Sequence, residues 1–327
     1  MTEPLCLLTV HAHPDDEASK GAATVARYHA EGVRTVLVCC TGGEEGDILN
    51  PAMDTEEVRA DLPAIRAREL QAATAAIGYD EVVLLGYRDS GMPESAANAD
   101  PRSFARAPLE EAVGKLVAVI RRERPQVVVT YDEDQRGYPH PDHLRVHEIS
   151  VAAFEAAGDP DAFPAAGPPW QPAKLYYVGW SSARILAMHD KFLELGLESP
   201  FGEDWLERAQ ANTRSFTTVV DVSGYTDVRR QALLAHATQI DPTSPFWFGL
   251  PPEVAREVHP VDEYVLARRA PSPGPVDPSG RPGTAGGDDV ADAAGDPGSL
   301  RLPADVGPAD APFEDDLFAG VRERASR

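Results

Sequence analysis

Cysteine is scarce in this chain. The 327 residues contain three, Cys6, Cys39 and Cys40, all in apolar runs and two of them adjacent. No pair has the CxxC spacing of a metal ribbon or redox motif, so the thiols read as small buried hydrophobes in a reducing compartment. Basic charge is short as well: 30 Lys and Arg against 53 Asp and Glu give a formal net charge of -23. Phosphate backbones and anionic bilayers would be repelled, which argues against nucleic acid and membrane surfaces as partners. The acidic excess then serves mainly solubility. No apolar stretch approaches the ~20 residues of a membrane span, and no basic segment followed by a long apolar run opens the chain. The expected location is therefore the cytoplasm. GxxxxGK(S/T) and GxGxxG are missing, which disfavours phosphate-cradling and dinucleotide enzymes.

What is present suits a large core, with 43% hydrophobic residues. Buried strands are predicted at Leu5–Val10, Thr35–Cys40, Glu81–Leu85 and Gln126–Thr130. Helices are predicted at Ser19–Ala30, Glu56–Ile77 (kinked or divided by Pro63), Leu109–Arg122 and Asp142–Ala156. Short apolar strands separated by helices make parallel βαβ units, an α/β fold with a mostly parallel sheet. Such sheets bind ligands beyond the carboxyl ends of their strands. Polar clusters follow all four strands: His11–Glu17, Thr41–Asp47, Tyr87–Asp89 and Tyr131–His143. The core is expected over residues 1–158. Strands at Lys174–Val178 and Phe216–Val222, with helices at Ala183–Leu195 and Thr226–Thr238, suggest a smaller cap over 159–270. Residues 271–327 are rich in Pro, Gly, Ala and Asp and are expected to be disordered for most of their length, with room for a short helix near Phe313–Glu323. Truncation at 270 is then expected to leave activity nearly intact.

The chemistry concentrates in two motifs. His13 and Asp16 sit three apart after the first strand, and His143 opens the helix after the fourth. Two His and one Asp with an open position match a catalytic zinc site, where bound water ionises near neutral pH. Asp15 is the carboxylate left over for general base. His140 can hold positive charge near an oxyanion or protonate a leaving amine, Tyr138 can donate to the oxyanion, and Asp142 can orient His140 or a ligand. An HxxD alone is commonly a capped turn, and Asp15 and Asp16 could cap the helix. The second motif, HPDH, is what makes a metal site the better reading. His11 and Glu17 are expected to be structural or to support the site, and His147 to support it or lie on the surface. His29, His189, His236 and His259 lack partners at metal spacing and read as structural or surface residues.

HAHPDDE, TGGEEGD, RDSGM and YPHPDH together resemble the zinc-dependent GlcNAc-inositol de-N-acetylase superfamily. SKGAAT, GDILNPAMD, KFLELGLESPF and FWFGLP resemble a subgroup of amidases that act on thiol S-conjugates. The resemblance spans about residues 1–270. It implies a Rossmann-like fold, zinc on His13, Asp16 and His143, Asp15 as base, and His140 and Tyr138 assisting the transition state. It implies sugar-inositol contacts from Asp47, Arg66 and Asp89, and a contact of Lys20 with the larger acyl group. The expected reaction is hydrolysis of the amide between glucosaminyl-inositol and an S-conjugated N-acetylcysteine. Phe246, Trp247 and Phe248 either wall the thiol substituent or pack as core. The rivals are deacetylation of N-acetylglucosaminyl-inositol, Mg²⁺-dependent phosphoryl chemistry and a non-catalytic metal module. His ligation suits zinc or iron better than Mg²⁺. Metal identity, preferred conjugate and oligomeric state stay open at this level.

Overall fold

The structure is a computed structural model that describes residues 4–133, 138–211, 216–270 and 313–322. Apolar runs assemble one seven-stranded sheet from β1 (Cys6–His11), β2 (Arg34–Thr41), β3 (Glu81–Tyr87), β4 (Val127–Thr130), β5 (Lys174–Gly179), β6 (Thr218–Asp221) and β7 (Val261–Arg269). Their order is β3-β2-β1-β4-β5-β7-β6. Strands β1 to β5 are parallel, and β7 is antiparallel to β5 and β6. Chain order reverses around β1, between β2 and β4, and such a switch point opens a crevice at the carboxyl rim.

Alternation along β1 feeds two cores. Cys6, Leu8 and Val10 pack against the helices Leu109–Glu123 and Pro141–Ala156. Leu7 points the other way, into a cluster with the helices Ala22–Ala30, Leu62–Ile77 and Thr226–Ala235. Each fully buried leucine contributes roughly 1.5–3 kcal/mol, so the sheet is fixed from both faces. The three cysteines are buried and unbridged. No helix among the described residues is long and apolar enough to cross a membrane.

The differences from expectation have local causes. The single helix expected over Ser19–Ala30 breaks into Asp16–Ser19 and Ala22–Ala30, because Gly21 takes φ +89° between them. Pro63 divides Glu56–Ala60 from Leu62–Ile77. β3 is an edge strand and leaves Val82 and Leu84 exposed instead of buried. The region 159–270, expected as a separate cap, gives β5, β6 and β7 to the same sheet, so strand pairing ties it to the core. Residues 271–312 and 323–327 lie outside the described set. The segment 314–321 packs against the sheet, with turns over 317–321 and helix only at Arg322: Glu314 bridges to Thr218 on the free edge of β6, and Leu317 and Phe318 are fully buried. The segment thus covers an edge that would otherwise present unpaired backbone.

Candidate metal-binding active site

The end of β1 turns sharply. Asp15 adopts φ +116°, unusual for a residue with a Cβ. Three contacts hold the turn. The Asp15 amide donates to Glu17 Oε2 at 2.9 Å, and Arg66 Nη2 donates to the Pro14 carbonyl at 2.5 Å and to Asp15 Oδ2 at 3.1 Å. Arg66 Nη1 also donates to the Gly43 carbonyl at 2.5 Å, joining the loop after β2 to the turn. Its guanidinium lies so close that a Cβ at Gly43 or Gly46 would overlap it. Asp15 starts the short helix without capping it through its side chain, so the carboxyl is available for chemistry. Burial pushes that carboxyl above the usual carboxylate range, against the pull of Arg66, which suits a base.

Asp16 points back to β1. Its Oδ2 accepts the His13 amide at 3.0 Å and lies 3.4 Å from His143 Nε2 and 3.5 Å from His13 Nδ1. Ligand atoms of His13, Asp16 and His143 fall within 4.8 Å of one another, all three residues buried. Burial alone would raise the Asp16 carboxyl, but Lys20 and His143 beside it hold it well below the carboxylate range. Lys20 Nζ donates to Asp16 Oδ1. Two imidazoles and an ionised carboxylate form a borderline-soft donor set that fits a divalent metal such as zinc. A second group, His13, Asp89, His140 and Asp142, meets the same distance limit through the shared His13. Its acids are engaged elsewhere: Asp142 accepts the Ser90 amide at 2.9 Å and the Ser90 hydroxyl, and Asp89 accepts the Gly91 amide at 2.8 Å. Asp142 also lies 3.2 Å from His13 Nε2. Burial would lower the His13 pKa, but its hydrogen bonds to the carboxylates of Asp142, Asp16 and Asp89 outweigh it and hold the imidazole well above its ordinary value. Such a cluster of acids around a proton is a place where a metal cation can displace it.

His140 caps the helix Pro141–Ala156, its Nδ1 accepting the Asp142 amide at 3.2 Å. The proton of the neutral ring is therefore on Nε2. Burial, with His13 and His143 adding to it, lowers its pKa to about 4, which favours the neutral ring as an N–H donor. Tyr138 is half exposed, its ring 5.7 Å from that of His140 and 5.2 Å from that of His143.

The remaining expected residues divide. Asp89 joins the cluster, its Oδ1 3.6 Å from His13 Nε2, and its own amide donates to Glu44 Oε2 at 3.0 Å. Asp47 does not join it: the side chain is exposed with no hydrogen bond or ion pair among the described residues, and only its carbonyl is used, by Gln239. His11 contacts the Tyr131 hydroxyl at 2.9 Å, and His147 donates to the Tyr131 carbonyl at 3.0 Å, so both brace the strand ends. His236, read as structural or surface, is fully buried in a structural pair. Its Nε2 lies 2.5 Å from Glu17 Oε1 with both side chains fully buried, beneath the Asp15 turn. Ser90 and His236 are supports that the residue types alone did not single out. Ser90 stood inside the RDSGM motif; nothing in the sequence pairs Glu17 with a histidine 219 positions away.

A parallel sheet carrying a buried His/Asp cluster at its carboxyl rim defines a metal-capable α/β enzyme. The family described as GlcNAc-PI de-N-acetylase (PIG-L) matches residues 8–154. A mycothiol S-conjugate amidase of Streptomyces coelicolor is 44% identical over 281 residues, covering 82% of this chain and 93% of that protein. A 1D-myo-inositol 2-acetamido-2-deoxy-alpha-D-glucopyranoside deacetylase of Geodermatophilus obscurus is 40% identical over 330 residues, covering 98% and 99%. Among solved structures, an N,N'-diacetylchitobiose deacetylase from Pyrococcus horikoshii shares the fold, with a TM-score of 0.55 at 17% identity over 80% of this chain and 83% of that one. The chain belongs to the GlcNAc-PI de-N-acetylase family, and it is an amide hydrolase of the amidase/deacetylase type.

Proposed function

We propose that the chain hydrolyses the amide of mycothiol S-conjugates, releasing a mercapturic acid and glucosaminyl-inositol, with zinc on His13, Asp16 and His143. Iron is the alternative metal, since the same ligands suit it. The observation that carries the proposal is the convergence of His13, Asp16, His143, Asp15 and His140 on one rim, with Lys20 seated on Asp16. The 44% identity to the Streptomyces coelicolor amidase supports the substrate. A bound metal would polarise the amide carbonyl and lower the pKa of the attacking water. The chain's own groups do the rest. Asp15, with its raised pKa and its tether to Arg66, takes the proton as water adds to the carbonyl. His140 Nε2–H and the Tyr138 hydroxyl donate to the developing oxyanion. Asp15 then passes that proton to the nitrogen, the C–N bond breaks, and carboxylic acid and amine leave.

Asp89 and Lys20 are the proposed substrate contacts beside the cluster. Arg66 acts there mainly by holding Asp15. Asp47 is a contact from the outer loop. The second reading, deacetylation of N-acetylglucosaminyl-inositol, is supported by the 40% identity to the Geodermatophilus obscurus deacetylase. Side-by-side kcat/KM values decide between them. The amidase reading expects an S-conjugate to exceed N-acetylglucosaminyl-inositol at least tenfold; the reverse preference overturns it.

A further inference from the structure

A second cavity lies beyond the end of β5, where Trp180 follows the strand. It has a volume of about 110 Å³ and is walled by Trp180, Phe246 and Phe248 and by Arg184, Arg229 and Arg230. Trp180 follows the last residue of β5, two strand spacings from β1, or roughly 10 Å at ~4.8 Å per strand. A chain of largely buried contacts links the cavity wall to the metal cluster. Lys20 sits on Asp16, Gly21 packs under the Tyr264 hydroxyl, and Thr24 donates through its amide and hydroxyl to Asp262 at 3.2 and 2.8 Å. Asp262 is the carboxylate on which Arg184 and Arg229 both lean.

The cations outnumber their partners. Arg184 and Arg229 share one carboxylate, and Arg229 Nε is buried with no acceptor. Arg230 lies 4.6 Å over the Phe248 ring and has no carboxylate partner among the described residues. Arg184 lies 4.3 Å over Trp180, which is itself stacked on Phe246 at 5.6 Å and 10°. Burial, with Arg229 beside it, brings the Arg184 pKa down to about 9. A local surplus of guanidinium in a chain of net charge -23 is the reverse of its average surface. Arginine on aromatic faces recognises flat π systems and bonds carboxylates in a planar fork.

We infer that this cavity is a binding site for an aromatic ring bearing an acid group, delivered as the substituent on the sulfur of the conjugate. The inference rests on the S-conjugate reading for the substituent's identity and on the cavity alone for the ligand class. The roughly 10 Å of strand spacing between the ends of β1 and β5 is within reach of a ring joined through one cysteine side chain, because the Cα–Cβ–S–CH₂ path and the ring each span several ångströms.

Two measurements on the metal-loaded full chain test it. In the first, 4-methylbenzoate and its neutral analogue 4-methylbenzyl alcohol are titrated by calorimetry. The acid should bind the tighter of the two; Arg230→Gln should weaken it about tenfold, and Arg230→Lys, which keeps the charge and loses the fork, should weaken it less. Equal affinity for acid and alcohol, no binding, or unchanged affinity in Arg230→Gln overturns the site. In the second, the S-(4-carboxybenzyl) and S-carbamidomethyl conjugates of the same thiol are compared. Arg230→Gln should raise KM about tenfold for the first and leave the second unchanged. Equal shifts, or none, overturn the link to the sulfur substituent. Failure to cleave either conjugate while N-acetylglucosaminyl-inositol is deacetylated overturns the S-conjugate reading and that link together; the calorimetry still decides the cavity.

Discussion

At residue scale the site is built on a conformation that costs free energy. A non-glycine residue at φ +116° is destabilised by about 1–3 kcal/mol, and it persists only where neighbours over-determine it. At Asp15 those neighbours are Glu17 on the amide and Arg66 on the preceding carbonyl and the carboxylate. Glu17 in turn depends on His236, whose pKa rises above its ordinary value because Glu17 outweighs the effect of burial. His236→Ala leaves a fully buried carboxylate without its counterion. It should cost about 3–5 kcal/mol of unfolding free energy, read from denaturant midpoints; a loss below about 1 kcal/mol would mean that the pair is not structural. Arg66→Lys keeps the charge and loses the fork, so kcat should fall at least tenfold with thermal stability little changed. The ligands were legible because donor types and spacing follow from metal chemistry. The Glu17–His236 pair was not, because tertiary contact alone brings residues 219 positions apart together.

At the scale of elements, the parallel strands β1, β2 and β4 were legible from unbroken apolar runs, and Pro63 marked its helix boundary. β7 was not, because Asp262 and Glu263 interrupt its start, and the sequence gives no sign that Arg184, Arg229, Ser181 and Thr24 satisfy them. The break at Gly21 was missed for a related reason: SKGAAT continues a helical pattern unless the positive φ is known. Gly21→Ala meets both that φ and the Tyr264 hydroxyl, 3.1 Å from the added Cβ, and should lower stability by more than about 1 kcal/mol in chemical denaturation. Asp262 gives a pH prediction. Burial would raise its pKa, but Arg229 and Arg184 hold it below the ordinary value of about 3.9. A depressed carboxylate stabilises the fold above its unfolded pKa, and that contribution is lost as pH falls through the folded one. The stability gap between wild type and Asp262→Asn should therefore be constant from pH 7 to about 4 and shrink below. A gap that widens in acid would contradict the assignment.

On the scale of the whole molecule, one sheet joins what the composition divided. Pro, Gly and Ala between residues 159 and 170 resemble a linker, yet β5 pairs directly with β4 beyond it. The acidic tail likewise hides a docking segment. Glu314 accepts from Lys174 at 2.9 Å, from Tyr176 at 2.6 Å and from Arg269 at 2.7 Å. Truncation after residue 270 strips a buried lysine of its counterion and uncovers the edge of β6. It should lower the melting temperature by several degrees or more, in contrast to the dispensable tail read from composition. The central claim is that a metal on this rim and Asp15 beside it make the chain an amide hydrolase. The most direct test pairs zinc content with turnover of an S-conjugate in wild type, Asp15→Asn and His13→Ala. Asp15→Asn should retain about one zinc per chain and lose about 10²–10⁴-fold in kcat, while His13→Ala should lose both metal and activity. Full activity in Asp15→Asn, or undiminished turnover in metal-free enzyme, would contradict it.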